Sequence, residues 1–426
     1  MKKVLIISPY FPPVNAADMQ RVRMSLPYFE QFGWKAEVVT VNPRYSDFVK
    51  DDLLFETVPA DLKIYEVNAF NKSWTRLIGL GSIALRSLYF YYKKVNELLE
   101  NHPYDLIYFS TTQFPVCVLG NYWNKRYNVP YVIDFQDPWH SDYYQNKPKH
   151  ERPPKYWFSY RLNKFLEAMA MKRVGGLIAV TDSYISNIQE RYPHLHSVPS
   201  GVITFGAFVP DLKIATKNSI ASYIKKKSDK IAIAYVGVVG GIMEQSLITL
   251  FSCLSSIKNN DVKLYESFEW FFIGTSYAPR GTGQKTVLPV AARFGVDDCV
   301  YEQTDRITYY EALKTIMTAD ALLIIGSDEP QYTASKLYPY LLTNMPLLAL
   351  FNPQSPALEV LDEYGAKYAY SYNAPDIDIK INTFLKNIKS GQLTRQEYDV
   401  EAEKKYSAEN MTKRQCELFD QVILSE

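Results

Sequence analysis

The stretch ASKLYPYLLTNMPLLAL, residues 334–350, decides how this chain folds. Small polar residues lead into a short helical pattern, Asn344 and Pro346 stop it, and a continuous apolar run follows at 347–351. Loop, helix, stop and fully apolar strand, in that order, make half of a strand–helix–strand unit of a parallel sheet. Ser335 and Lys336 stand where the helix is expected to begin. A helix start offers unpaired N–H groups and a partial positive charge, and Lys336 adds a full one, so the pair could cradle a phosphate. On the residues alone the plainer alternative is a cap and a solvated charge.

Outward from this stretch the pattern repeats. Apolar runs at 231–236, 270–273, 299–302 and 321–325 precede it, and an earlier series occupies 4–8, 36–41, 63–67, 106–110, 131–135 and 177–180. Helical segments such as 19–32 and 160–173 lie between the earlier runs. Strand–helix alternation twice over predicts an α/β protein of two doubly wound Rossmann-like domains. A polar, lysine-rich stretch at 211–230 reads as the linker, giving domains at 1–208 and 209–407.

Composition agrees. A chain of 426 residues is long for one core, and 47% hydrophobic with 22% charged residues is ordinary for a globular protein. Residues 1–205 carry 24 Lys+Arg against 19 Asp+Glu, a balance of +5, and the rest carry 23 against 27, or −4. The first half therefore suits an anionic surface or substrate, without the basic stripe of a nucleic-acid binder. Cys117, Cys253, Cys299 and Cys416 show no metal spacing and point to a reducing compartment. The apolar run at 4–7 is too short for a signal peptide, and no run approaches the length of a spanning helix, so a cytoplasmic location is expected.

In such sheets ligands bind beyond the carboxyl ends of the strands. The loop after the first run holds Asn15, Ala16, Ala17 and Arg21, with small residues that let a ligand approach; it lacks the Gly-x-Gly-x-x-Gly of a dinucleotide fold. After 131–135 come Asp137, Trp139 and His140: an acid that could orient a hydroxyl, a flat platform for a sugar ring, and a titratable group. Equally, Asp137 could cap a turn and Trp139 belong to the core. Gly240 and Gly241, after 231–236, would let backbone N–H groups approach a pyrophosphate from the side opposite Ser335 and Lys336. Residues 74–99 interleave Trp74, Tyr89, Tyr91 and Tyr92 with Arg76, Arg86, Lys93 and Lys94, a pattern for a helix lying in a lipid interface or, alternatively, packed on the sheet. Asp376 and Asp378, and His194 and His196, lack the companions a metal site needs.

Together these residues resemble the GT-B glycosyltransferases of the family-4 type, over nearly the whole chain. VLIISPYFPP (4–13) is similar to that family's opening strand and loop, VPYVIDFQDPW (129–139) to its acceptor-side strand, GGLIAVTDS (175–183) to the next strand, and ADALLII (319–325) with SKLYPYLLTNMP (335–346) to its donor region. The resemblance implies two Rossmann-like domains facing across a cleft, the first for the acceptor and the second for the donor, with a final helix (408–426) packing back on the first. It implies transfer of a sugar from a UDP- or GDP-sugar with retention of configuration, without metal or other cofactor. Lys336 and Asp137 would be catalytic. Gly240, Gly241, Gly274, Gln331, Ser335, Lys336 and Leu337 would surround the donor, and Asn15, Ala16, Ala17, Arg21, Trp139 and His140 the acceptor. The basic first half and residues 74–99 suggest a saccharide or lipid-linked saccharide acceptor of surface polysaccharide synthesis, with peripheral contact at the inner membrane face.

The chain departs from the family at several positions. Ala16 and Ala17 stand for a Gly-Gly, Gln136 for a histidine, Met243 to Gln245 for basic residues, and Gln331 and Pro339 for two acids, the second of which holds the ribose. Lys336, helped by Arg280 or Lys285, would then supply most of the counter-charge to a leaving diphosphate. A nucleotide-sugar epimerase would need histidines in the second half, which has none. A catalytically degenerate subunit that binds or scaffolds a glycan-assembly complex would suit the missing acids.

Overall fold

The structure, a computed structural model, describes the chain except for residues 76–80, 141–144, 146–147, 153–154, 218, 331 and 426, and the side chains at 74 and 150. The described residues form two compact units, Met1–Gly206 with Ala408–Glu426, and Ala207–Ser407. In the first, β1 (Lys2–Ile7), β2 (Trp34–Val41), β3 (Lys63–Val67), β4 (Leu106–Ser110), β5 (Tyr131–Phe135), β6 (Gly176–Ala179) and β7 (Ser200–Val202) lie in the order β3-β2-β1-β4-β5-β6-β7. In the second, β8 (Ile231–Val236), β9 (Phe268–Ile273), β10 (Val300–Gln303), β11 (Ala321–Ile325), β12 (Leu347–Phe351) and β13 (Ala369–Ser371) lie in the order β10-β9-β8-β11-β12-β13.

Neighbouring strands in both sheets run parallel. Every residue of β4, β5, β11 and β12 is buried, as strands covered by helices on both faces must be. Strand order reverses between β1 and β4 and again between β8 and β11, so each sheet has a switch point with a crevice beyond its carboxyl edge. Two doubly wound Rossmann-like units are thus what the chain forms. β7 and β13 escape the apolar pattern because each has only three residues, none fully buried.

Three segments differ from the reading of the sequence. The pattern at 19–32 is a helix only over Gln20–Ser25, because Pro27 has no N–H to continue it. The stretch at 211–230 is not a free linker. It includes most of helix Val209–Lys217, whose buried Asp211 carboxylate accepts hydrogen bonds of 2.8 Å from both the Tyr309 and Tyr310 hydroxyls. Residues 74–99 form no single helix: Lys72–Thr75 is separate from Ile83–Asn101, and Arg76 lies outside the described residues. Ile83, Ala84, Tyr91, Val95 and Leu98 join the core, while buried Arg86 donates to the Phe70 and Tyr45 carbonyls at 3.0 Å each. Packing on the sheet therefore uses two of the side chains expected to face lipid. Among the described residues no helix is long and apolar enough to cross a membrane.

Helix Ala408–Leu424 belongs to the first unit. Its Phe419 is fully buried against Phe29, Trp34 and Tyr108, a burial worth on the order of 1.5–3 kcal/mol. Asp420 accepts from Lys2 at 2.7 Å and from the Trp34 indole at 2.9 Å. Gly176 is required here: a Cβ on it would come within 2.6 Å of Val422.

Candidate functional site

The switch point of the second sheet gathers the chemistry. β8 ends at Val236, whose N–H donates to the Tyr340 hydroxyl at 2.8 Å and so ties helix Leu337–Leu341 to the strand end. The next residue, Gly237, sits at φ +139°, a conformation L side chains rarely adopt, and donates to the Ile273 carbonyl at 2.8 Å. The reason for glycine is steric as well as conformational: a Cβ would collide with the Lys336 ammonium. Lys336 comes from the loop after β11, on the other side of the switch point, and its Nζ donates to the Tyr235 hydroxyl at 2.6 Å. The ammonium form can only donate, so the Tyr235 oxygen accepts from it, and the tyrosine's own proton goes to the Val238 carbonyl at 2.9 Å.

Lys336 is partly exposed as a residue, but its ammonium is turned into dry surroundings. Burial, followed by the nearby Arg306 guanidinium, lowers its pKa from 10.5 to about 7. Among the described residues no carboxylate pairs with it. A cation held inward, next to a second cation and without a counter-ion, is a place where an anion would be stabilised.

The helix itself contributes less than expected. Leu337–Leu341 is only five residues long, Lys336 occupies the N-cap, and Ser335 is exposed outside it, so the dipole cradle is corrected to a lysine in a socket. Pro339 falls in the first turn, where its missing N–H would have had no intrahelical partner, so it costs the helix nothing. Leu337 is buried and can offer a ligand only backbone. Gln331 lies outside the described residues.

Gly240 and Gly241 do not form the socket. They line a separate cavity of about 270 Å³ with Glu244, Lys285, Thr286 and Arg293, and Lys336 is not in its wall. Of the two helper cations, Lys285 lines this cavity and Arg280 is 96% exposed, 4.0 Å from Asp305. Arg306 is the cation that acts on Lys336, and its place three residues past β10 was the signal available in the sequence. Gly274 takes φ +75° at the end of β9, and a Cβ there would lie 3.8 Å from the Arg306 Cα. Glu329, two residues before Gln331, is a further acid of this loop, and burial pushes its carboxyl pKa up.

In the first unit several expected acceptor residues are buried against other side chains. Arg21 is fully buried, with Nε 2.7 Å from Asp134 and its guanidinium donating to the Ile203 and Thr204 carbonyls at 2.8 and 3.1 Å. Trp139 is buried and stacked on Phe114 at 5.4 Å, with its indole N–H directed to Asn163. His140 Nδ1 lies 3.0 Å from Glu167, which also holds Arg191. All three side chains are engaged with partners inside the first unit. Asn15 and Ala16 are buried, whereas Ala17 and Asp137 are exposed beyond the carboxyl ends of β1 and β5. At this switch point the sequence reading missed a buried network. Gln136 donates to the Asp18 carbonyl, Ser110 and Asp134 at 3.0–3.1 Å. Asp18 accepts from Thr111 and Thr112, and burial raises its pKa.

No protein-family model and no curated protein sequence matches the chain. Solved structures do. HepE from Anabaena, in complex with UDP-glucose, aligns with all of this chain and 99% of its own at TM-score 0.55 and 14% identity. A UDP-forming α,α-trehalose-phosphate synthase from Burkholderia xenovorans covers 100% of this chain and 98% of its own at TM-score 0.56 and 11% identity. WaaG, a glycosyltransferase involved in lipopolysaccharide biosynthesis, covers 99% and 98% at TM-score 0.54 and 14% identity. Likeness at this identity is likeness of fold: the chain has the two Rossmann-like units of the GT-B architecture.

Proposed function

We propose that the chain is a glycosyltransferase that moves a sugar from a nucleotide-sugar donor, a UDP- or GDP-sugar, to a saccharide or lipid-linked saccharide, with retention of configuration. The observation that carries this reading is the Lys336 ammonium, held at the second switch point by Tyr235 and Gly237 with no carboxylate paired to it among the described residues. The fold neighbours, one of them in complex with UDP-glucose, support it. Cleaving the anomeric carbon–oxygen bond leaves charge on the departing diphosphate. Lys336, with Arg306 beside it, would stabilise that charge in a site already organised to receive it. No metal is assigned to the step. Glu329, two residues before the family acid replaced by Gln331, is assigned to the nucleotide. Asp137, exposed at the carboxyl end of β5, is assigned to the acceptor hydroxyl.

Incubating the full chain with a panel of UDP- and GDP-sugars, and following thermal shift and nucleotide release, tests the proposal. Saturable binding with release, both lost in Lys336→Met, is expected. Saturable binding without turnover on any acceptor would favour the scaffolding subunit instead, for which the absence of both family acids at Gln331 and Pro339 speaks. Absence of binding would remove both readings.

A further inference from the structure

Helix Tyr156–Ala170 of the first unit has an unusual outer face. Glu167 and Ala170 are buried, Asn163 receives the Trp139 indole N–H, and Glu167 pairs with His140 and Arg191, so this side seats the helix on the unit. On the other side Trp157 is 65% exposed, Phe165 62% and Phe158 36%. Arg161 and Lys164 are exposed among them, with the Arg161 guanidinium 5.8 Å from the Trp157 ring centroid. At about 100° per residue, Lys164, Trp157, Arg161, Phe165 and Phe158 fall within an arc of roughly 120°. Large aromatics left in water at this density mark a contact surface rather than scattered exposure.

The charge says what the contact is. From Lys155 to Leu166 the sequence holds three cations and no carboxylate, and Lys149 and Arg152 lie just upstream with Glu151 as the one acid. A second copy of the chain is a poor occupant, because a two-fold contact would set this face on itself and bring cation against cation. An anionic bilayer suits every element of it. Trp and Phe enter the headgroup boundary, and the Arg and Lys heads meet lipid phosphates while their stems lie along the apolar layer. We infer that the face of Trp157, Phe158, Arg161, Lys164 and Phe165 docks the protein on an anionic lipid surface. The site is distinct from residues 74–99, where Tyr91 and Arg86 are turned into the core.

The inference does not depend on the glycosyl-transfer reading, since it is tested without donor or acceptor. The full chain is mixed with vesicles of phosphatidylcholine alone, or of phosphatidylcholine with phosphatidylglycerol, and bound protein is measured by flotation. Binding is expected on the anionic vesicles only, weakening with salt. Arg161→Glu with Lys164→Glu should reduce it at least about twenty-fold, because each cation near the surface is worth roughly fivefold. Trp157→Ala with Phe165→Ala should reduce it comparably, with circular dichroism and melting temperature unchanged because these side chains are exposed. Lys93→Glu with Lys94→Glu, on the other basic helix, should leave it intact. No binding to anionic vesicles, or equal binding by the two helix variants, overturns the inference. So does a dimer in light scattering that the Trp157→Ala, Phe165→Ala variant dissociates, since a second copy would then own the face.

Discussion

Replacing Lys336 by methionine should stabilise the ligand-free protein while abolishing its affinity for nucleotide sugars. Burial and Arg306 bring the Lys336 pKa from 10.5 to about 7, so in the folded state the charged form is penalised. At pH 7 that penalty is roughly 4 kcal/mol at about 1.4 kcal/mol per pKa unit. Removing the ammonium also deprives the Tyr235 hydroxyl of its donor, returning about 1 kcal/mol. The net gain is about 3 kcal/mol, or roughly 6 °C or more for a unit of this size. The sign with pH follows from the depressed pKa. Between about pH 7 and 10.5 the unfolded state binds more protons than the folded one, so wild-type stability rises with pH. The gap between Lys336→Met and wild type should therefore be full below about pH 7 and close as pH approaches 10.5. Urea melts at pH 6, 7, 8 and 9 on the second unit's transition measure it. A variant that is less stable at pH 6, or a gap that does not narrow with pH, refutes a buried and unpaired Lys336.

Three further outcomes are expected. Gly237→Ala puts a Cβ into the space of the Lys336 ammonium at φ +139°, which should cost about 1–3 kcal/mol and at least tenfold in nucleotide-sugar affinity, read by melting and by titration. Arg21→Met leaves Asp134 buried without its cation and should destabilise the first unit by about 3–5 kcal/mol in urea melts, without changing donor affinity in protein that remains folded. Glu329→Gln should lower nucleotide affinity about tenfold, and a ribose-deoxygenated nucleotide should bind the variant and the wild type alike, because the lost contact is to the ribose.

The fold was legible wherever strands are buried on both faces. The runs at 106–110, 131–135, 231–236, 321–325 and 347–351 coincide with β4, β5, β8, β11 and β12, because a covered parallel strand must be apolar nearly throughout. Helices were harder: the apolar period over 74–99 hides the start of a separate helix at Ile83, where Ser82 caps by accepting from the Leu85 N–H. In the site, Lys336 could be found because a lysine before a helix after a strand has few places to go. What it touches could not. Its partners Tyr235 and Gly237 lie about a hundred residues away and read as ordinary strand end and turn. Arg21, Trp139 and His140 show the same limit: each has the chemistry of a ligand contact, and which partner it takes inside the protein (Asp134, Phe114 and Glu167) is set by the fold, not by its neighbours in sequence.

The most direct measurement is calorimetric titration of a nucleotide sugar, beginning with UDP-glucose, into the full chain at pH 7 in two buffers of different protonation enthalpy. The diphosphate of a nucleotide sugar does not titrate near this pH, and Lys336 is about half protonated there. Binding on Lys336 should draw in about half a proton per site, and Lys336→Met should neither bind nor take up a proton. Binding of UDP- or GDP-sugars with no proton uptake, unchanged in Lys336→Met, would contradict Lys336 as the seat of the diphosphate.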